Sequence, residues 1–299
     1  MKIRTISEVL KEQYGGKVLK LSLSSGCTCP NRDGTKGYGG CSFCSGGGSG
    51  EFASAYAPVA EQVQKAKQLV DGKFPVSTAV EDRKYIAYFQ SFTNTYADAD
   101  RLERLYGEVI RKKEIEVLSV GTRPDCLEDD KIGMLRRLAK IKPVWVELGL
   151  QTIHERTAQS FGRGYTLDVF EDACRRLKDA GVSVIVHVIL GLPGESREDM
   201  LGTVRYLAGM DPPIDGIKLQ LLHVLKGTRL GEEYLRHPFP LMSMEEYTDL
   251  VVECLKLLPE DIIIHRMTGD PPRRLLIAPG WCTDKKKVIN MLSRKIRMA

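Results

Sequence analysis

Four of the chain's eight cysteines fall in one short segment, CTCPNRDGTKGYGGCSFC, which runs from Cys27 to Cys44. One residue separates Cys27 from Cys29, eleven separate Cys29 from Cys41, and two separate Cys41 from Cys44. Two inorganic chemistries compete for such a set. Four thiolates close a tetrahedral zinc site, in which paired short spacings are common. Three thiolates instead bind three irons of a 4Fe–4S cluster and leave the fourth iron open. The flanks favour the cluster, because Pro30 follows Cys29 and the intervening glycines let the backbone wrap a bulky inorganic core. Cys29, Cys41 and Cys44 are then the ligands and Cys27 a neighbour. Cys126, Cys174, Cys254 and Cys282 are scattered and indicate no auxiliary cluster.

A cluster needs a scaffold, and the hydrophobic pattern predicts one. Short β-rich runs at 18–24, 84–90, 116–121, 144–150, 182–190 and 216–222 are mostly apolar on both faces, as a parallel sheet covered by helices requires. Helical segments near 58–71, 98–112, 127–140, 166–180 and 196–209 alternate with them. In 166–180, Thr166 is a candidate N-cap, Val169, Phe170, Ala173, Cys174 and Leu177 share a face, and Gly181 is the stop. Ser196 and Asp199 form a capping box for the next helix. The alternation predicts an α/β fold, a partial (β/α)6 barrel over 1–223. Residues 224–299 are expected to form a small C-terminal extension: a loop, a helix near 243–258, a strand at 261–267, a Pro-rich turn and a basic terminal helix. GGGSG at 46–50 reads as a flexible loop beside the cysteines.

At 299 residues and 42% hydrophobic, the chain can bury a full core. Its formal charge of +5 permits an anionic partner without requiring one. The terminal segment carries Lys285, Lys286, Lys287, Arg294, Lys295 and Arg297, interrupted by Val288, Ile289, Met291, Leu292 and Ile296, the pattern of a basic amphipathic helix. The first residues mix both charge signs, so no secretory signal is expected. The longest apolar run, around Val182 to Leu192, is too short to span a bilayer. A soluble cytoplasmic protein without a membrane partner is the expectation, and cysteines in a reducing compartment are poor disulfide candidates.

CPNRDGTKGYGGCSFC, YFQSFTNTYA, GTRPDCL, ELGLQT, GRGYT, HVILGLPGE, LLHVLKGTRL and RMTGDPPRRLLIAPGW together resemble, in order and over nearly the whole chain, the bacterial YhcC or YtqA-like radical S-adenosylmethionine (SAM) family, related to the catalytic subunit of elongator. Elongator-type enzymes carry an acetyltransferase domain after the barrel, for which 224–299 is too short, so acetyl-CoA chemistry is not expected. The resemblance implies a 4Fe–4S cluster and SAM as cofactors, with the SAM amino and carboxylate groups on the open iron. One electron, from an external donor such as a flavodoxin or ferredoxin, then releases methionine and a 5′-deoxyadenosyl radical. It also implies that Phe43 lies near the adenine.

Many radical SAM enzymes hold the SAM amino group with Gly-Gly-Glu after the second strand; here the sequence is Phe89-Gln90-Ser91-Phe92-Thr93-Asn94, and Gln90 is the expected substitute. Glu147 and Gln151 end the fourth strand, where a carboxylate can accept from ribose hydroxyls or serve as a buried structural acid. Arg163 can pair the SAM carboxylate with two-pronged geometry or be a plain surface arginine. Thr122 and Arg123 end the third strand facing SAM or substrate, and His187 is either a core or an active-site histidine. Leu190 to Gly194, beginning with Leu190 and Gly191, would bring backbone near adenine. Lys218, Gln220 and His223 on the last barrel strand are assigned to the substrate side, Lys218 and Gln220 sharing a face by alternation.

The leading functional expectation is tRNA modification. The resemblance implies action on the wobble uridine, removing the carboxymethyl part of 5-carboxymethylaminomethyluridine to leave 5-aminomethyluridine. The basic tail with Arg273 and Arg274 adds independent support for an RNA partner. Radical chemistry on a small metabolite or protein side chain is a second reading, and a non-catalytic zinc-stabilised RNA-binding protein is a third.

Overall fold

The computed structural model describes every residue except Ser49, Phe52 and Ser54, so part of the GGGSG loop lies outside the described residues. All six expected strands form: β1 Val18–Leu23, β2 Lys84–Phe89, β3 Ile115–Thr122, β4 Val144–Gln151, β5 Ser183–Leu190 and β6 Gly216–Leu221. They pair in sequence order and in parallel. Three more strands follow: β7 Val224–Leu225, β8 Ile263–Arg266 and β9 Leu276–Ala278. β8 pairs in parallel with β6 and makes the sheet seven-stranded, while β7 and β9 form a separate antiparallel pair. The strand expected at 261–267 is therefore part of the main sheet, with Ile262 and Ile264 in its core.

The sheet is curled. Tyr88 on β2 accepts a hydrogen bond from the Lys218 ammonium on β6 at 3.0 Å. Four strand spacings on a flat sheet would hold these residues about 19 Å apart.

Ten helices lie among the described residues: α1 Ile6–Tyr14, α2 Val59–Val70, α3 Ala99–Ile110, α4 Asp129–Ala139, α5 Glu155–Phe161, α6 Leu167–Asp179, α7 Arg197–Ala208, α8 Arg229–Arg236, α9 Met244–Leu257 and α10 Lys285–Met298. None is long and apolar enough to cross a membrane. Thr166 stands at the N-cap of α6, and Ser196 with Asp199 closes a capping box on α7. Outward-facing strand residues such as Leu21, Ala87, Leu118, Val146, Val186 and Leu219 are wholly buried in the same core as the helices' apolar faces.

The sequence pattern did not separate α1, α5 and α8 from loop. α1 plugs the N-terminal end of the barrel, where Ile6, Leu10 and Tyr14 meet Val18, Ile86, Val117 and Trp145. Just before it, Thr5 bridges to Ile264, and the Ile264 amide donates to the Arg4 carbonyl at 2.8 Å. The open seam between β8 and β1 is thus stitched at its base.

Candidate functional site

The loops that follow the strands gather at their C-terminal ends, the face where parallel β/α folds build their sites. The cysteine loop follows β1. Cys29, Cys41 and Cys44 are partly exposed, whereas Cys27 is buried in the core, where Arg101 Nη1 donates to its sulfur at 3.7 Å. The thiols thus divide into three and one.

Two of the three unanticipated helices, α5 and α8, clamp this loop. The Ser42 amide donates to the Phe161 carbonyl at the end of α5, and the Leu230 amide of α8 donates to the Ser42 carbonyl, each at 2.9 Å. Asn31 Nδ2 donates to the Gly162 carbonyl at 2.7 Å and to Cys41 Sγ at 3.4 Å. Phe43 packs on Phe161, with ring centroids 5.1 Å apart. A hydrogen bond from Cys44 lowers the Cys41 thiol to about 6 against its burial, helped by Asn31 and the charges of Arg123 and Arg229. A thiolate-favouring electropositive loop with three reachable sulfurs fits the ligand set of a 4Fe–4S cluster.

The segment after β2 is stitched in place of a Gly-Gly-Glu turn. Asn94 Nδ2 donates to the Phe89 and Gly121 carbonyls at 3.1 and 2.8 Å, and its Oδ1 accepts from Ser25 at 2.6 Å. Gln90 is half-buried beside Gly121 at the strand end. Phe92 and Gln151, both non-glycine, take φ of +62° and +66° at this face. Such conformations concentrate at functional sites. With its amide turned so that the nitrogen faces the backbone, Gln151 donates to the Leu150 and Gly149 carbonyls at 2.8 and 3.2 Å.

Glu147 does not face the mouth as a ribose acceptor. Its side chain has no exposure and is the centre of a charged layer inside the barrel. Tyr88 and His187 Nε2 each donate to its Oε2 at 2.8 Å, Ser119 donates to Oε1 at 3.0 Å, and the Lys218 ammonium also bonds Oε2. Lys20 stands 3.9 Å from Oε1. Both lysines lie over the Tyr88 ring, at 4.9 Å for Lys20 and 4.7 Å for Lys218. Burial alone would raise the Glu147 carboxyl, but Lys218, Lys20 and His187 hold it well below the usual carboxylate range. Burial and the Lys218 charge push His187 down to about 4. The imidazole is therefore neutral, donating from Nε2 to Glu147 and accepting on Nδ1 from Gln220 Nε2 at 3.3 Å.

Arg163 likewise has another task than the expected carboxylate contact. It is 1% exposed and donates to the carbonyls of Tyr165 at 2.9 Å and Thr152 at 2.7 Å, and to Glu155 at 2.6 Å. Its donors tie Thr152, just after β4, to Glu155 at the start of α5 and to the turn at Tyr165. Arg123 is bidentate to Asp125 at 2.9 and 2.8 Å, and Lys36 reaches the same carboxylate at 2.6 Å. Thr122 bonds Thr95 at 2.5 Å. Leu190 turns its side chain into the helix-facing core, while Gly191 at φ +93° donates its amide to Met200 Sδ at 3.0 Å.

Of the residues assigned to the substrate side, Lys218 is 1% exposed and belongs to the Glu147 layer. Gln220 lies above it, accepting from Arg266 Nη1 at 3.4 Å. His223 Nε2 is buried without a hydrogen-bond partner among the described residues. Arg266 was not anticipated. By alternation it falls with the core residues Ile262 and Ile264; the register shift between Ile217 and Lys218 pairs it with Lys218 instead.

The tail helix α10 buries Val288, Leu292 and Ile296 in the core. At roughly 1.5–3 kcal/mol for each large aliphatic side chain, that docks it firmly. Lys285 pairs with Asp270 at 2.6 Å, and Lys295 pairs with Asp249 at 2.6 Å and Glu245 at 3.3 Å. Lys286, Lys287, Arg294 and Arg297 are exposed and form no ion pair among the described residues. Arg273 donates to the Thr283 carbonyl at 3.0 Å, and Arg274 reaches Glu51, beside the cysteine loop, at 3.4 Å.

Residues 25–207 match the family model described as the radical SAM superfamily, and residues 214–298 match that of the radical SAM C-terminal domain. The chain is 39% identical to YtqA of Bacillus subtilis over 98% of its length and 88% of that protein. It is 27% identical to a tRNA uridine(34) acetyltransferase of Methanocaldococcus jannaschii, over 54% of this chain and 29% of that enzyme. The structure of Methanocaldococcus infernus Elp3 shares the fold, with a TM-score of 0.64 and 20% identity, over 79% of this chain and 58% of that one. With its three-thiol loop at the mouth of a curled seven-stranded parallel sheet, the chain belongs to the radical SAM superfamily and is a radical SAM enzyme.

Proposed function

We propose that this enzyme holds a 4Fe–4S cluster on Cys29, Cys41 and Cys44, binds SAM beside it, and modifies the wobble uridine of tRNA by removing the carboxymethyl part of 5-carboxymethylaminomethyluridine. The cluster and SAM would supply one-electron cleavage to a 5′-deoxyadenosyl radical, with a flavodoxin or ferredoxin as reductant. The protein's part is placement and exclusion of solvent. α5 and α8 fix the thiols, Asn94 and Gln90 shape the second loop, and the charged layer gives the lumen a rigid floor.

The observation that carries the RNA reading is the similarity to an enzyme named for tRNA uridine 34. The similarity spans about half of this chain. The exposed cations of α10, with Arg273, add a surface suited to a phosphate backbone. Mass-spectrometric comparison of tRNA nucleosides from cells with and without the gene tests the reading. Accumulation of 5-carboxymethylaminomethyluridine in the deletion is the expected result, and identical nucleosides would refute it.

A further inference from the structure

Three basic side chains share the barrel lumen with Glu147, and burial pushes both lysines down, Lys218 well below the usual lysine range. Lys20 from β1, Lys218 from β6 and Arg266 at the end of β8 act on the same buried layer, and among the described residues Glu147 is the one acid bonded within it. Lys218 takes Glu147 Oε2, and Lys20 lies near Oε1. Arg266 forms no ion pair among the described residues; its guanidinium donates to the neutral amide oxygen of Gln220 at 3.4 Å. Gln220 is in turn anchored on His187, so this group stands directly above the charged layer. Nearby, His223 presents a buried ring nitrogen with no partner among the described residues, within electrostatic reach of Arg266.

A guanidinium stays charged at any physiological pH and is poorly placed in a low-dielectric lumen without a counterion. Its planar fork matches a carboxylate. The lumen also lies between β1, which leads into the cysteine loop, and β8, so a group bound there is held beneath the cluster-binding face.

We propose that Arg266, oriented by Gln220, binds the terminal carboxylate of the substrate's side chain, so that the lumen selects a uridine bearing an N-alkylglycine group over one ending in an amine. This rests on the uridine reading given above. SAM also carries a carboxylate, and the two sources are separable by experiment.

Binding to the reconstituted full-length chain is measured by anaerobic calorimetry with three probes: the nucleoside 5-carboxymethylaminomethyluridine, its carboxamide, which keeps the amine and lacks the carboxylate charge, and SAM. The wild type should prefer the carboxylate by roughly ten- to a hundred-fold, the range of a charge-assisted hydrogen bond. Arg266→Gln should abolish that preference with SAM affinity kept as the control for an intact fold, and Arg266→Lys should restore part of it. Equal wild-type affinity for carboxylate and carboxamide would overturn the proposal. So would a fall in SAM affinity with the nucleoside preference intact, which would assign the cation to SAM. N-benzylglycine, compared with its amide, separates this site from the uridine reading. If tRNA nucleosides are unchanged in the deletion while N-benzylglycine binds in an Arg266-dependent way, the carboxylate site stands and the uridine reading falls. Altered nucleosides with no carboxylate preference would leave the uridine reading standing and remove the carboxylate site.

Discussion

Replacing Glu147 by Gln keeps the shape of the side chain and removes its negative charge from the lumen layer. Lys218 is 1% exposed; it would keep its bond to Tyr88 at 3.0 Å and lose its counterion. Lys20, at 29%, can turn partly toward solvent. Stranding one partner of a buried pair typically costs about 3–5 kcal/mol. Against a total stability of about 5–15 kcal/mol, the loss is large enough to shift a denaturation midpoint far outside error. The double variant Glu147→Gln with Lys218→Met removes the stranded charge as well, and neutral replacement of both members of a buried pair is often close to neutral. Guanidinium denaturation of the cluster-free chain, followed by far-UV circular dichroism, gives the four free energies of the cycle. The expected pattern is two destabilised single variants and a double variant more stable than either. Single variants within about 0.5 kcal/mol of wild type, or losses that simply add, would show that the pair is not coupled as described.

Three further outcomes follow from other parts of the molecule. Anaerobic reconstitution should give about four irons per chain, lost on Cys29→Ala, Cys41→Ala or Cys44→Ala and kept on Cys27→Ala, because Cys27 faces Arg101; stoichiometric zinc with negligible iron would refute the cluster. His187 is held at about 4 against an unfolded value of about 6.5, so the unfolded chain binds the extra proton and stability falls as pH drops through that window, by about 3 kcal/mol in all. His187→Gln should flatten this slope in denaturation midpoints measured between pH 7 and pH 4, and an unchanged slope would count against a neutral buried imidazole. Replacing Lys286, Lys287, Arg294 and Arg297 by Gln should weaken tRNA binding and lower the log–log salt slope by up to about 3–4, whereas equal affinity and slope would mean that α10 is only a docked solvated helix.

The six strands of the barrel were legible because each is a short, mostly apolar β-rich run, helical segments alternate with them, and parallel pairing in a βα repeat leaves few alternatives. Spacing and flanks single out Cys29, Cys41 and Cys44, and these are the partly exposed thiols of the loop while Cys27 is buried. What could not be read was partnership across the barrel. Glu147 is polar in an apolar strand, a pattern that serves a ribose contact and a buried hub equally. Its partners come from β1, β2, β3, β5 and β6, and only the curl of the sheet brings them together. Arg163 shows the same limit: a basic residue in a glycine-rich turn looks available until the carbonyls of the preceding strand end converge on it. α5 and α8 escaped notice because they are short, yet they are the elements that hold the cysteine loop.

The layering of the lumen ties these observations together. Its lowest layer, Ile86, Val117 and Trp145 closed by Leu10 of α1, is apolar and packed like an ordinary core. The next layer, Tyr88, Ser119, Glu147, His187 and Lys218, is polar and nearly solvent-free. A buried ion pair is weak evidence for stability, since an apolar filling of the same volume is often as stable or more so. If the lumen served only to be filled, the apolar layer would have continued upward. Instead the strands place a hydrogen-bonded set of polar and charged groups at the level where the barrel opens to Gln220 and Arg266. Groups that do not reorganise when a reactive species forms above them are what a radical site requires of its floor. The charged layer therefore marks the boundary at which the barrel interior stops being core and becomes site.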